Sequence, residues 1–132
     1  MIKLIMVLHG HQPVGNFEHV FKMAYDKCYR PVFDLLNAHP GVKTGLHISG
    51  PLFEWIEGNR SDCMDMLGEM VKRGQIELLS GGFFEPLLAS IPSRDARGQV
   101  FLMNDYITER FGKKPEGFWL TERVWDSSLP AI

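Results

Sequence analysis

A chain of 132 residues, 45% apolar and 23% charged, has the size and composition of one compact globular domain. Its net charge of -2 offers no basic footprint, which sets aside nucleic acid and anionic membrane surfaces as partners. The N-terminal apolar run is too short to cross a bilayer and lacks a small-residue cleavage site; Cys28 and Cys63 fall in separate predicted helices. Free thiols without an export signal imply a reducing, cytoplasmic setting.

The run Ile2 to Leu8, apolar and rich in β-branched residues, predicts a first strand that turns polar at His9. From Val20 to Ala38 the apolar positions Val20, Met23, Ala24, Val32, Leu35 and Leu36 fall mostly at helical spacing. Pro31 inside this stretch predicts two helices or one kinked helix, closed by His39-Pro40-Gly41. Lys43 to Ile48 reads as strand two, followed by a turn at Gly50-Pro51 and a short apolar stretch from Leu52 to Ile56. Ser61 is a candidate cap for the second helix, which Lys72-Arg73-Gly74 stops. Gln75 to Leu79 predicts strand three, leading into the loop Ser80 to Pro86. Ser93 can cap a third helix running to Phe111, with Gly112 beyond it, and Gly117 to Leu120 predicts strand four. Strand starts near residues 2, 43, 75 and 117 are about 30–40 apart, the length of one βα unit.

Repeated βα units imply an α/β fold with a parallel sheet and right-handed crossovers. A doubly wound sheet and a barrel both satisfy this. The first strand is not followed by GxGxxG, and every strand ends in polar residues: His9-Gly10-His11-Gln12, His47-Ile48-Ser49, Glu85 beyond strand three, and Thr121-Glu122-Arg123. Polar groups at all strand ends are what a barrel active site requires, although about four strands make only half a barrel.

His9 and His11 lie two apart on an extended chain and therefore share a side. They can bind sugar hydroxyls, bind a metal with a third ligand, or serve structurally; His47 is a third ligand by position. Glu85 sits in an aromatic, glycine-rich loop, where Pro86 is expected to hold it extended and where it either meets substrate or lies in solvent. Glu122 ends a short apolar run with an aromatic residue three positions to either side, and alternation points it away from Arg123. Trp119 and Trp125 can stack on sugar rings or pack in the core, and so can Trp55. Asp62, Asp65 and Glu69 read as a solvated helix face.

Three ordered motifs carry a family resemblance: His9-Gly10-His11-Gln12-Pro13-Val14-Gly15-Asn16-Phe17, Gly82-Phe83-Phe84-Glu85-Pro86 continuing to Pro92, and Trp119-Leu120-Thr121-Glu122-Arg123-Val124-Trp125. With Tyr29-Arg30-Pro31 and the stretch Ser49 to Glu57, they resemble the N-terminal part of glycoside hydrolase family 57, nearest its 4-α-glucanotransferase and α-amylase members. The resemblance implies a partial (β/α)7-type barrel and a retaining mechanism on α-1,4-glucans and maltooligosaccharides. Nothing beyond the histidines argues for a metal in the sequence, and no cofactor or metal is expected. Glu122 matches the nucleophile, His11 and Glu85 match residues lining the sugar subsite, His9 lies beside them, and Trp119 matches an aromatic position near the cleft.

The family's general acid is an aspartate from a later region that this chain lacks, and Asp126 does not match it. Residues 1–132 are thus expected to be the N-terminal half of a catalytic barrel, ending before it closes, inactive alone and prone to self-association. A non-catalytic glucan-binding module is the alternative. A metal-dependent deacetylase ranks lower, because the chain has neither an Asp-Asp pair after strand one nor His-x-x-x-His.

Overall fold

The computed structural model describes residues 2–132. Three strands, β1 (Val7–Gly10), β2 (Thr44–Ile48) and β3 (Ile76–Leu78), form a parallel sheet in the order β1-β2-β3. The register pairs His9 with His47 and Leu46 with Leu78. Central β2 is buried along nearly its whole length, as a strand with neighbours on both sides and covered faces should be. The α/β fold and the parallel sheet follow the sequence expectation.

Strand one is displaced toward its C-terminus. Ladder pairing begins at Val7, and Ile2, Leu4 and Ile5 stay exposed because no element among the described residues covers them. His9 and Gly10 are strand residues, not the loop after it.

Between β1 and β2 the chain stays helical from Glu18 to Ala38. α1 (Glu18–Ala24) runs into a π-turn over Tyr25–Tyr29 and then α2 (Arg30–Ala38). Pro31 has no N–H to donate, and its ring crowds the carbonyl four residues back. The wide turn just before it gives that ring room without breaking the helix.

Gly50-Pro51 is not a turn but the start of α3 (Gly50–Asn59), since proline lacks only a hydrogen bond that a first helical turn cannot make. α4 (Ser61–Lys72) and α5 (Ser93–Phe111) match the predicted helices. Ser61 and Ser93 are their first helical residues, with Arg60 and Pro92 at the cap positions, so neither serine caps. Gly112 ends α5 at φ 68°, the left-handed conformation that glycine adopts without a Cβ clash.

The core lies where α3, α4 and α5 meet the sheet: Phe53, Ile56, Met64, Leu67, Met103 and Ile107 are each at most 1% exposed. Trp55 packs there too, its indole N–H shared between the two carboxylate oxygens of Glu18 at 3.0 Å. The predicted fourth strand is reduced to one parallel bridge, Ser80 to Phe118. Among the described residues no further strand flanks residues 117–120, and Phe118 is 47% exposed. Among them, too, no helix is long and apolar enough to cross a membrane. Cys28 and Cys63 are free thiols, the first exposed and the second buried.

Candidate active site

The carboxyl ends of the strands carry the polar residues. His9 and His11 share a side as expected, with ring centroids 6.0 Å apart. His47 lies opposite His9 in the ladder, and their Nδ1 atoms are 3.0 Å apart. Tyr29 Oη donates to the His11 carbonyl at 2.8 Å and accepts from Gln12 Nε2 at 3.0 Å. The Gln12 amide donates to Ser49 Oγ at 3.2 Å, so the π-turn and the start of α3 together hold the loop that presents His11.

The loop after β3 brings in Glu85. Its backbone is at φ 51°, left-handed and not extended. Pro86 disfavours the right-handed helical region for Glu85 but does not enforce extension. The Glu85 amide instead closes a turn onto the Gly82 carbonyl at 2.9 Å, and Gln99 of α5 accepts from the Phe84 amide at 2.9 Å. This turn sends the Glu85 side chain inward, where it is only 4% exposed. The carboxylate contacts His11 Nδ1 and lies 3.5 Å from His9 Nε2 and 3.7 Å from His47 Nδ1. Gly81 is required beneath it, because a Cβ there would fall 2.6 Å from His47 Nε2.

The opposite wall is the segment Phe118 to Arg123. The Trp119 amide donates to the Ser80 carbonyl at 2.7 Å, and its indole stacks on the His9 ring at 4.4 Å and 14°. Glu122 and Arg123 both have left-handed backbones, φ 53° and 57°. Two such non-glycine residues in sequence store backbone strain of roughly 1–3 kcal/mol each. They sit in a short turn closed by Arg123 N to Leu120 O at 3.0 Å. Between the walls is a pocket of about 750 Å³ lined by His9, His11, Glu85, Trp119, Glu122 and Arg123, with Leu87, Phe118, Leu120 and Thr121. The five residues matched to the family's site, His9, His11, Glu85, Trp119 and Glu122, therefore meet in one place. Trp55 and Trp125 do not join them: the first is core and the second is 68% exposed.

Burial sets the protonation states. His47 is fully buried, and desolvation, aided by His9 and His11, pushes its pKa down to about 3, so it stays neutral. Burial and the neighbouring His11 lower His9, with Glu122 acting the other way. Burial raises Glu85, opposed by His11 and reinforced by Glu122. Between the two Nδ1 atoms of neutral His9 and His47 there is room for one hydrogen, which couples their tautomers. His9, His11 and Glu85 also bring three metal-capable atoms within 4.8 Å of one another. His47 is the participant that sequence reasoning undervalued. The signal was a polar residue inside a buried apolar strand, in register with His9.

A pocket of carboxylates, imidazoles and an indole at the carboxyl ends of parallel strands is typical of α/β enzymes that handle polar ligands. The chain belongs to glycosyl hydrolase family 57, whose model matches residues 5–132. It is 46% identical over 128 residues to a 4-alpha-glucanotransferase of Thermococcus litoralis, covering 97% of this chain and 19% of that protein. It is 47% identical over 128 residues to an alpha-amylase of Pyrococcus furiosus, covering 97% of this chain and 20% of that protein. The crystal structure of the Thermococcus litoralis 4-alpha-glucanotransferase superposes with a TM-score of 0.91 at 46% identity, over 95% of this chain and 20% of that one. The chain thus spans about a fifth of the length of these relatives.

Proposed function

We propose that this chain forms the glucan-binding and nucleophile-bearing part of an α-1,4-glucan-processing enzyme, first of all a 4-α-glucanotransferase. One observation carries the reading: Glu122 lines the same pocket as His9, His11, Glu85 and Trp119. Trp119 offers a flat face to a sugar ring, and the imidazoles and Glu85 offer donors and acceptors to its hydroxyls. Glu122 attacks the anomeric carbon, and the bond to the leaving oxygen breaks with inversion, giving a glycosyl ester. A second inversion by an acceptor hydroxyl restores the configuration. Water as acceptor gives hydrolysis instead, so the same residues serve an amylase, and acceptor binding and water exclusion decide the outcome.

A retaining pair of carboxyl groups stands about 5–5.5 Å apart. Glu85 is bound to the imidazoles and is assigned to sugar binding, so the general acid comes from outside residues 1–132. Residues 1–132 are then the front part of a (β/α)7-type barrel. The single Ser80–Phe118 bridge supports this as the beginning of a fourth strand position. The apolar strip Leu88, Val100, Phe118, Leu120, Trp125 and Leu129 supports self-association of the chain by itself. The free thiols favour a reducing, cytoplasmic setting.

Titration of the chain with maltohexaose, read by tryptophan fluorescence, tests the substrate class. Saturable binding is expected, weakened by Trp119→Ala and by Glu85→Gln, and absent with the β-1,4-linked cellohexaose. Equal binding of both sugars, or of neither, contradicts the reading.

A further inference from the structure

We propose that His9, His11 and Glu85 form a binding site for a zinc-type divalent cation, and that the cation and the sugar exclude each other; the exclusion presumes the glucan reading above. Two imidazole nitrogens and one carboxylate oxygen suit zinc and its neighbours. They do not suit calcium or magnesium, which take oxygen ligands.

The spacing fits. A tetrahedral ion with bonds of about 2.0–2.1 Å holds its ligands about 3.3 Å apart. His9 Nε2 and Glu85 Oε1 are separated by 3.5 Å, and all three donor atoms fall within 4.8 Å. His11 Nδ1 now touches the carboxylate directly and has to swing back to admit an ion. Its side chain is 42% exposed at the pocket wall and has space to do so.

Two of the three ligands are already oriented from behind. His9 Nδ1 faces His47 Nδ1 at 3.0 Å. When His9 donates there, its Nε2 carries a free lone pair on the side of Glu85. A ligating histidine is commonly fixed through its other nitrogen in this way. His47 is fully buried and packed against Gly81. Glu85 is aimed inward by its left-handed backbone and is 4% exposed, unlike a solvated surface carboxylate. Three protein ligands leave the fourth position open toward the pocket that also holds Glu122 and Trp119. Water can fill it, but an ion there takes away the groups that would otherwise bind the sugar.

The test is zinc titration of the purified chain at pH 7.5 in competition with a chromophoric chelator, with and without saturating maltohexaose. One zinc per chain is expected, at least about tenfold weaker in His11→Gln and in Glu85→Gln, and unchanged in His39→Gln on an exposed helix end. Circular dichroism checks the folding of each variant; should Glu85→Gln not fold, His11→Gln, at a half-exposed side chain, carries the result. Maltohexaose is expected to raise the apparent zinc Kd. Absence of stoichiometric zinc, or binding that survives in the variants, overturns the site. Zinc binding indifferent to a maltohexaose that the chain does bind overturns the exclusion. Zinc binding by a chain that binds no maltohexaose supports the metal site and counts against the glucan reading instead.

Discussion

The two walls of the pocket are built differently. His9, His47 and Glu85 rest on the sheet and on a loop tied to α5, directly above a core in which Phe53, Ile56, Met64 and Leu67 are each at most 1% exposed. Residues 117–125 hang on that frame through two hydrogen bonds with Ser80 and the stacking of the Trp119 indole on His9 and His47. Val124 and Trp125 beyond them are exposed. His9 and Glu85, assigned to sugar binding, are thus preorganised, whereas Trp119 and the proposed nucleophile are on the weakly anchored wall.

The largest expected effects separate the two regions by stability. Phe53→Ala, in the core, is expected to cost about 3–5 kcal/mol by urea denaturation. Trp125→Ala is expected to change stability by under about 0.5 kcal/mol. Similar losses for both would erase the contrast.

Acid comes next. His47 has a folded pKa near 3 against an ordinary 6.5. Below 6.5 the unfolded chain takes up a proton that the folded chain refuses, so stability falls as pH drops through 6.5 toward 3 and is flat above. Between pH 7 and pH 5 this costs about 2 kcal/mol. Glu85 works oppositely just above its ordinary value of 4.5, where the folded state keeps a proton that the unfolded chain releases. The difference between parent and His47→Gln isolates the histidine. Equal acid sensitivity in the two would remove His47 from the account.

Trp119→Ala should weaken maltohexaose by about tenfold, the loss of one aromatic platform, while leaving urea stability nearly unchanged. A large stability loss would make Trp119 part of the frame. The smallest effect concerns the apolar strip: Trp125→Ala should shift the sedimentation of concentrated samples modestly toward monomer.

Much of the stable region was legible because its signals are local. Alternation put His9 and His11 on one side, and the basic last turn with Gly74 marked the end of α4. Illegible features depended on distant partners. The Gly50-Pro51 pair is a turn or a helix start by sequence, and burial of Leu52, Phe53 and Ile56 against the core selects the helix. Gly117 to Leu120 has a strand's composition but only Ser80 to pair with. Glu85 takes its inward conformation from a turn onto Gly82 and contacts with His9 and His11, more than 70 positions away. Glu122 was found through its motif, whereas its left-handed backbone has no sequence mark.

A trapping experiment tests Glu122 as the glycosyl-accepting nucleophile without a general acid. An α-maltosyl fluoride bearing a second fluorine on its reacting ring loses fluoride without protonation: the Glu122 carboxylate bonds to the anomeric carbon as the C–F bond breaks, and the ester turns over slowly. Mass spectrometry of the digested chain should find one maltosyl adduct, on the peptide containing Glu122, and none in Glu122→Gln. An adduct on another residue, or no adduct from a chain that binds maltohexaose, would contradict the assignment and leave a binding module in its place.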